Sequence, residues 1–200
     1  SARWIQRTEK YNRCVLAGAS AFIFMGDEAG YGPVTGALGF NQWGLIPGIM
    51  VSKETGLLLK RTIRRKGFVN AEVETTDTQE KKVSWNIIGD LGDREASDGM
   101  VVIGVHYDGH DLAQGAMDPV SGTVPTLEIA RAMAIHQSQL KRKVRFIFFG
   151  VEELGLIGAH AYVDSHDEDL RNTRFMLNLD SAGRYGPKGL ILYGVDTSDY

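Results

Sequence analysis

Met100-Val101-Val102-Ile103-Gly104-Val105-His106 is an unbroken apolar run that ends in an imidazole. A run of this length, with no alternation between polar and apolar positions, is the pattern of a strand covered on both faces. Two more runs repeat it, Val144-Arg145-Phe146-Ile147-Phe148-Phe149 and Phe175-Met176-Leu177-Asn178-Leu179, and they read as the second and third central strands. The segments between them have helical spacing. One helix is expected to begin near Pro125, a residue favoured at the first helical position, and to run through Glu128, Ala130 and Met133 to about Leu140. A second is expected over roughly residues 154–164. Residues 83–90 alternate like a half-exposed strand, and Leu190-Ile191-Leu192-Tyr193 reads as a fourth buried one. Strands alternating with helices imply right-handed crossovers, so the fold class is α/β: a mostly parallel, mixed sheet flanked by helices.

The preceding residues read as a smaller α/β unit. Residues 4–17 have helical spacing, and Ala21-Phe22-Ile23-Phe24-Met25 follows as an apolar strand. A glycine-rich stretch, residues 26–44, has the composition of a long surface loop. Ile46-Pro47-Gly48-Ile49-Met50-Val51 reads as another short strand. Ser52 is a good N-cap for a helix ending at Lys66, where Gly67 stops it. Residues 75–82 are polar and without periodicity, which marks a linker. The expected division is therefore residues 1–82 and residues 83–200.

Composition narrows the function. Lys and Arg number 22 against 25 Asp and Glu, and the net charge of −3 gives no reason to expect nucleic acid or an anionic membrane as partner. No apolar run approaches the roughly 18 residues needed to span a bilayer. With Cys14 alone, no disulfide can form within the chain, and the redox compartment stays open. Nothing in the sequence specifies an oligomeric state.

The chemistry gathers at the strand ends. The first central run ends at His106, the second is followed by Glu152-Glu153, and the third ends at Asp180, while Asp118 lies in the glycine-rich stretch after the first. In open α/β sheets, ligands bind outside the carboxyl ends of the strands. Each residue alone has an ordinary explanation: a helix cap, a structural histidine, or a Glu-Glu pair at the positive end of a helix. The coincidence does not. One imidazole and four carboxylates share three consecutive strand ends with no lysine or arginine among them. A divalent cation would compensate that charge, and imidazole with carboxylate suits Zn²⁺.

His106-Tyr107-Asp108, Gly115-Ala116-Met117-Asp118-Pro119-Val120-Ser121-Gly122, Phe148-Phe149-Gly150-Val151-Glu152-Glu153-Leu154-Gly155-Leu156-Ile157-Gly158 and Asn178-Leu179-Asp180 together resemble the zinc exopeptidases of the bacterial leucyl aminopeptidase and plasma glutamate carboxypeptidase type. The resemblance covers about residues 83–200. It implies a pair of zinc ions and a peptide substrate cleaved at its terminus, most directly the amino end. A carboxypeptidase or dipeptidase on the same scaffold, or a non-catalytic binding relative, are the other readings. By the same resemblance His106 and Asp180 would bind one zinc and Glu153 the other, with Asp118 bridging them. Asp108 would hold His106 in its ligating tautomer, and Glu152 would be the general base. Two glutamates at a helix start would divide these duties by pointing in different directions.

Two departures stand out. Pro119 replaces the Asn or Asp usual beside the bridging ligand. The family's fifth ligand is a histidine far downstream of the position of Asp180, so the expectation is a catalytic domain continued beyond Tyr200. The 200 residues alone are then expected to bind zinc weakly or at a single site, with little activity. His136 and His166 lie in polar stretches and read as solvated, whereas His110 shares a loop with His106 and could reach substrate. Residues 10–25 and 46–56 resemble the later part of a protease-associated domain, the small module that accompanies several such peptidases. Relatives of this kind are mostly exported, which implies a secreted or extracytoplasmic location.

Overall fold

The computed structural model describes residues 5–33, 36–38, 44–78, 80–92, 99–110 and 112–183. The expected strand at residues 190–193 lies outside them. The chain forms two compact units. One comprises Ser1–Ser84 with His110–Ala113 and Val151–Ile157; the other comprises Trp85–Gly109, Gln114–Gly150 and Gly158–Tyr200.

In the first unit, α1 (Arg7–Leu16) leads to β1 (Phe22–Met25), and β2 (Gly48–Val51) leads to α2 (Lys53–Lys66). β1 and β2 pair in parallel, with Phe22 opposite Gly48. Tyr11 anchors α1: its ring meets Phe22 edge-on, and its hydroxyl accepts from the Leu45 and Ile46 amides and donates to the Ile46 carbonyl. α2 keeps the expected limits because its end signals are strong. Ser52 accepts from the Thr55 amide, and Gly67 takes a left-handed φ of 83°.

The second unit is built on a four-stranded sheet in the order β3-β5-β4-β6, formed by β3 (Ile87–Leu91), β4 (Met100–His106), β5 (Lys143–Phe149) and β6 (Thr173–Asn178). β3 runs antiparallel to β5, while β4 is parallel to both β5 and β6. Successive side chains face opposite sides, which explains why β4 and β5 are apolar throughout. Met100, Val102, Ile147 and Phe149 point to one face and pack on Tyr162 of α4 (Ile157–Ser165) and Leu170 of α5 (Asp167–Asn172). Ile103, Val105, Val144, Phe146 and Phe148 point to the other and meet Ile129, Ala130 and Met133 of α3 (Val120–Ile135). From β4 the chain crosses to β5 on one side, then returns past β4 to β6 on the other. β4 thus ends where the connections change direction, the usual place for a site in an open α/β sheet.

Four element expectations need correction. α3 begins at Val120, five residues before Pro125, which lies inside the helix. Ser121-Gly122-Thr123 has the composition of a turn, but Gly122 is there because the helix start lies against β6. A Cβ on Gly122 would stand 1.6 Å from the Leu179 carbonyl oxygen. The same helix stops at Ile135, with a short 3₁₀ turn from Gln137 to Gln139. β3 starts at Ile87, where pairing with Phe148 begins, and the side chain of Asn86, four residues into the expected strand, bonds two glycines. It accepts from the Gly150 amide (3.1 Å) and donates to the Gly158 carbonyl (2.8 Å). α4 starts at Ile157 because Gly155 (φ 110°) and Leu156 (φ 60°) leave the helical region. Glu152 and Glu153 therefore sit in a turn and not at a helix start. That turn is closed by bonds from the Gly155 and Leu156 amides to the Glu152 carbonyl. Finally, β6 is an edge strand among the described residues, not a central one, with Phe175 and Met176 exposed.

One buried charge belongs to the scaffold. Arg145 of β5 donates Nε and Nη2 to the two carboxylate oxygens of Asp90 at 2.7 and 2.9 Å, and Nη1 to Tyr162 and Asp169. That bidentate pairing holds Asp90 well below the usual carboxylate range. Among the described residues no helix is long and apolar enough to cross a membrane.

Candidate metal centre

β4 delivers His106 to the carboxyl edge of the sheet as its last residue, with the side chain buried. Pairing continues past the strand ends. The Tyr107 amide donates to the Phe149 carbonyl at 3.1 Å, and the Leu179 amide donates to the Gly104 carbonyl at 2.9 Å. The second bond aligns the end of β6 with the end of β4, so Asp180 comes level with His106. Asp118 arrives from the loop before α3. It precedes Pro119 through a cis peptide bond, and the loop closes with the Val120 amide donating to the Gly115 carbonyl. α3 also secures the histidine's backbone, since Thr123 Oγ1 donates to the His106 carbonyl at 2.8 Å.

The three side chains converge. His106 Nε2 lies 2.8 Å from Asp118 Oδ1 and 3.5 Å from Asp180 Oδ1. One ligand atom from each residue falls within 4.8 Å of the other two. On the opposite side of the ring, Nδ1 is 3.0 Å from the Asp108 backbone carbonyl and 3.6 Å from its carboxylate. The nearer acceptor is thus the Asp108 carbonyl and not its side chain. A carbonyl only accepts, so Nδ1 carries the proton, and in the neutral ring Nε2 presents its lone pair to the two carboxylates.

That arrangement suits a cation. Among the described residues, Asp118 Oδ1 is buried and accepts no hydrogen bond, although Nε2 is so near. Lone pairs on one nitrogen and two oxygens facing each other at such distances repel unless a proton or a metal ion stands between them. One imidazole nitrogen with carboxylate oxygens is a hard-to-borderline donor set that fits Zn²⁺, and three protein ligands leave a coordination position for water or substrate.

Glu152 and Glu153 belong to the other unit, where their surroundings are of a different kind. Val151 just before them has φ 56°, a left-handed conformation unusual for a β-branched residue. Ser181, just after Asp180, has φ 48°. Such outliers gather at functional positions, where the surrounding fold must hold them. Glu153 Oε2 lies 2.8 Å from His110 Nε2, and the carboxylate is mostly buried. Of the remaining histidines, His166 is not merely solvated: it stacks on Tyr162 with ring centroids 4.2 Å apart. Sequence reasoning passed over Asn86 and Thr123, whose side chains bond the backbone framing the site. It found no contact partner for His110. The contacts of Asn86, of Thr123 with His106 and of His110 with Glu153 have no local sequence signal, because each joins residues far apart in the chain.

A parallel-centred α/β sheet with a His-Asp-Asp cluster at its carboxyl edge is the architecture of a candidate metal site. Residues 86–200 match the sequence profile of peptidase family M28, more than half of the chain, and the chain belongs to that family. It is 34% identical over 197 residues to aminopeptidase YwaD of Bacillus subtilis (strain 168), a match that spans 96% of this chain and 40% of that protein. It is 30% identical over 153 residues to leucine aminopeptidase 2 of Trichophyton equinum, spanning 76% of this chain and 30% of that one. Among solved structures, BSAP, a zinc aminopeptidase from Bacillus subtilis, superposes with a TM-score of 0.63 at 29% identity, covering 90% of this chain and 42% of its own. The chain thus spans about two fifths or less of these relatives.

Proposed function

We propose that this chain carries most of the active site of a di-zinc aminopeptidase, which removes residues from the amino end of peptides. The observation that carries the reading is the convergence of His106, Asp118 and Asp180 on one point. The names of the relatives, aminopeptidases and a zinc aminopeptidase, support the reaction. His106 and Asp180 would hold one zinc ion, Glu153 a second, and Asp118 would be shared between them. Bound zinc supplies Lewis acidity, lowering the pKa of water and polarising the scissile carbonyl.

The chain's own residues do the rest. Asp108 fixes the His106 tautomer, so Nε2 points at the ligand position. Glu152 takes a proton from the attacking water and passes it to the leaving amine, the work of a general base followed by a general acid. Residues 1–82 are proposed as part of a protease-associated domain joined to the catalytic domain of residues 83–200.

The test uses the complete polypeptide. Glu152→Gln should abolish hydrolysis of aminoacyl substrates while zinc content stays at the wild-type level. Loss of zinc from that variant would overturn the assignment of Glu152. Wild-type cleavage of amino-blocked peptides, with free-amino substrates spared, would overturn the aminopeptidase reading.

A further inference from the structure

The contact between His110 and Glu153 has no place in the ligand scheme just given. Glu153 sits in a turn whose backbone does not restrict its side chain as a helix would. Its carboxylate, with 14% of the side chain exposed, is largely removed from water. A carboxylate in that position needs a compensating partner to fix where it points. His110 supplies one: its Nε2 stands 2.8 Å from Glu153 Oε2, within one compact unit. The imidazole is itself placed by a turn in which the Ala113 amide donates to the His110 carbonyl at 2.9 Å.

We infer that His110 is a positioning residue for Glu153, acting through Nε2 on Oε2 to hold that carboxylate for the second zinc ion. The inference rests on the proposed role of Glu153 as a ligand. Outer partners of metal-binding carboxylates and imidazoles typically contribute roughly 10–100-fold in metal affinity. Glutamine can mimic this contact, because its terminal amide nitrogen reaches about as far as Nε2, whereas alanine cannot.

The experiment compares wild type, His110→Ala, His110→Gln and Glu153→Gln in the complete polypeptide. Zinc stoichiometry and affinity are measured by competition with a chromophoric chelator, and metal-free thermal unfolding is measured alongside. His110→Ala is expected to weaken only the second zinc, by roughly 10–100-fold, with the metal-free midpoint unchanged. His110→Gln should recover most of that affinity. Second-site affinity in His110→Ala equal to wild type, while Glu153→Gln loses the site, would overturn the role of His110 alone. A His110→Gln variant as weak as His110→Ala, with both unfolding at lower temperature without metal, would also overturn it by showing a structural role. Retention of the second zinc by Glu153→Gln would overturn the ligand assignment of Glu153 together with this inference.

Discussion

Asp118 Oδ1 stands 2.8 Å from His106 Nε2 and accepts no hydrogen bond there, while Asp180 faces the same nitrogen at 3.5 Å. Acceptors aimed at one another are a poor design for stability and a good one for capturing a cation. The consequence is a trade between folding and function. Asp180→Asn should lower zinc affinity by more than the roughly 100-fold that loss of an outer partner costs. It should leave the metal-free protein within about 0.5 kcal/mol of wild type, because the carboxylate it neutralises is partly solvated. Denaturant titrations with and without zinc measure both. A clear loss of metal-free stability would show that Asp180 serves the fold instead.

Gly122 is where α3 meets the end of β6. The Leu179 carbonyl occupies the place of a Cβ, and no side-chain rotation relieves that clash. Gly122→Ala is expected to destabilise by about 3 kcal/mol, at the upper end of overpacking costs, and to displace Asp180, one residue beyond Leu179. Equilibrium unfolding reports the first effect and zinc titration the second.

Asn86 pins Gly150 to Gly158 by one accepted and one donated bond, and the Gly158 amide closes the base by donating to the Gly150 carbonyl. The segment carrying Glu152 and Glu153 leaves and returns through these two glycines. Asn86→Ala should cost about 2 kcal/mol, since it strips partners from two backbone groups. It should also reduce turnover by the complete polypeptide and weaken the second zinc held by Glu153, a combination that steady-state kinetics and metal analysis will check.

Asp90 ties stability to acid. Its pairing with Arg145 lowers its folded pKa below the unfolded value of about 3.9. The stability this contributes is complete above that unfolded value and is lost as pH falls through the folded one. Asp90→Ala should cost about 3 kcal/mol near neutrality, at the low end for breaking a buried pair because Asp169 still contacts the guanidinium. Its stability should then fall less steeply than wild type on acidification below about pH 5, as followed by urea unfolding across pH.

Much of the fold was legible because its signals are local. The apolar runs of β4 and β5, and the Ser52 and Gly67 ends of α2, each declare themselves within a few residues. The candidate ligands were legible for the same reason: His106 and Asp180 close or follow apolar runs, and Asp118 sits in a glycine-rich loop beside them. What the sequence hid is long-range. Gly122 looks like a turn residue until Leu179 is seen against it, and Asn86 looks like part of a strand until its amide is seen bridging Gly150 and Gly158. The left-handed Val151 and Ser181, beside the candidate residues, contradict local preference and are held only by tertiary structure. At Asp108 the carbonyl, 3.0 Å from His106 Nδ1, could not be told from the carboxylate at 3.6 Å by sequence.

The central claim is that His106, Asp118 and Asp180 bind a zinc ion. Anomalous diffraction at the zinc edge, from crystals of the complete polypeptide grown with zinc, tests it most directly. A peak roughly 2.0–2.2 Å from His106 Nε2 and from one oxygen each of Asp118 and Asp180 is expected. Fully zinc-loaded protein with anomalous density elsewhere, and none between these three side chains, would contradict it.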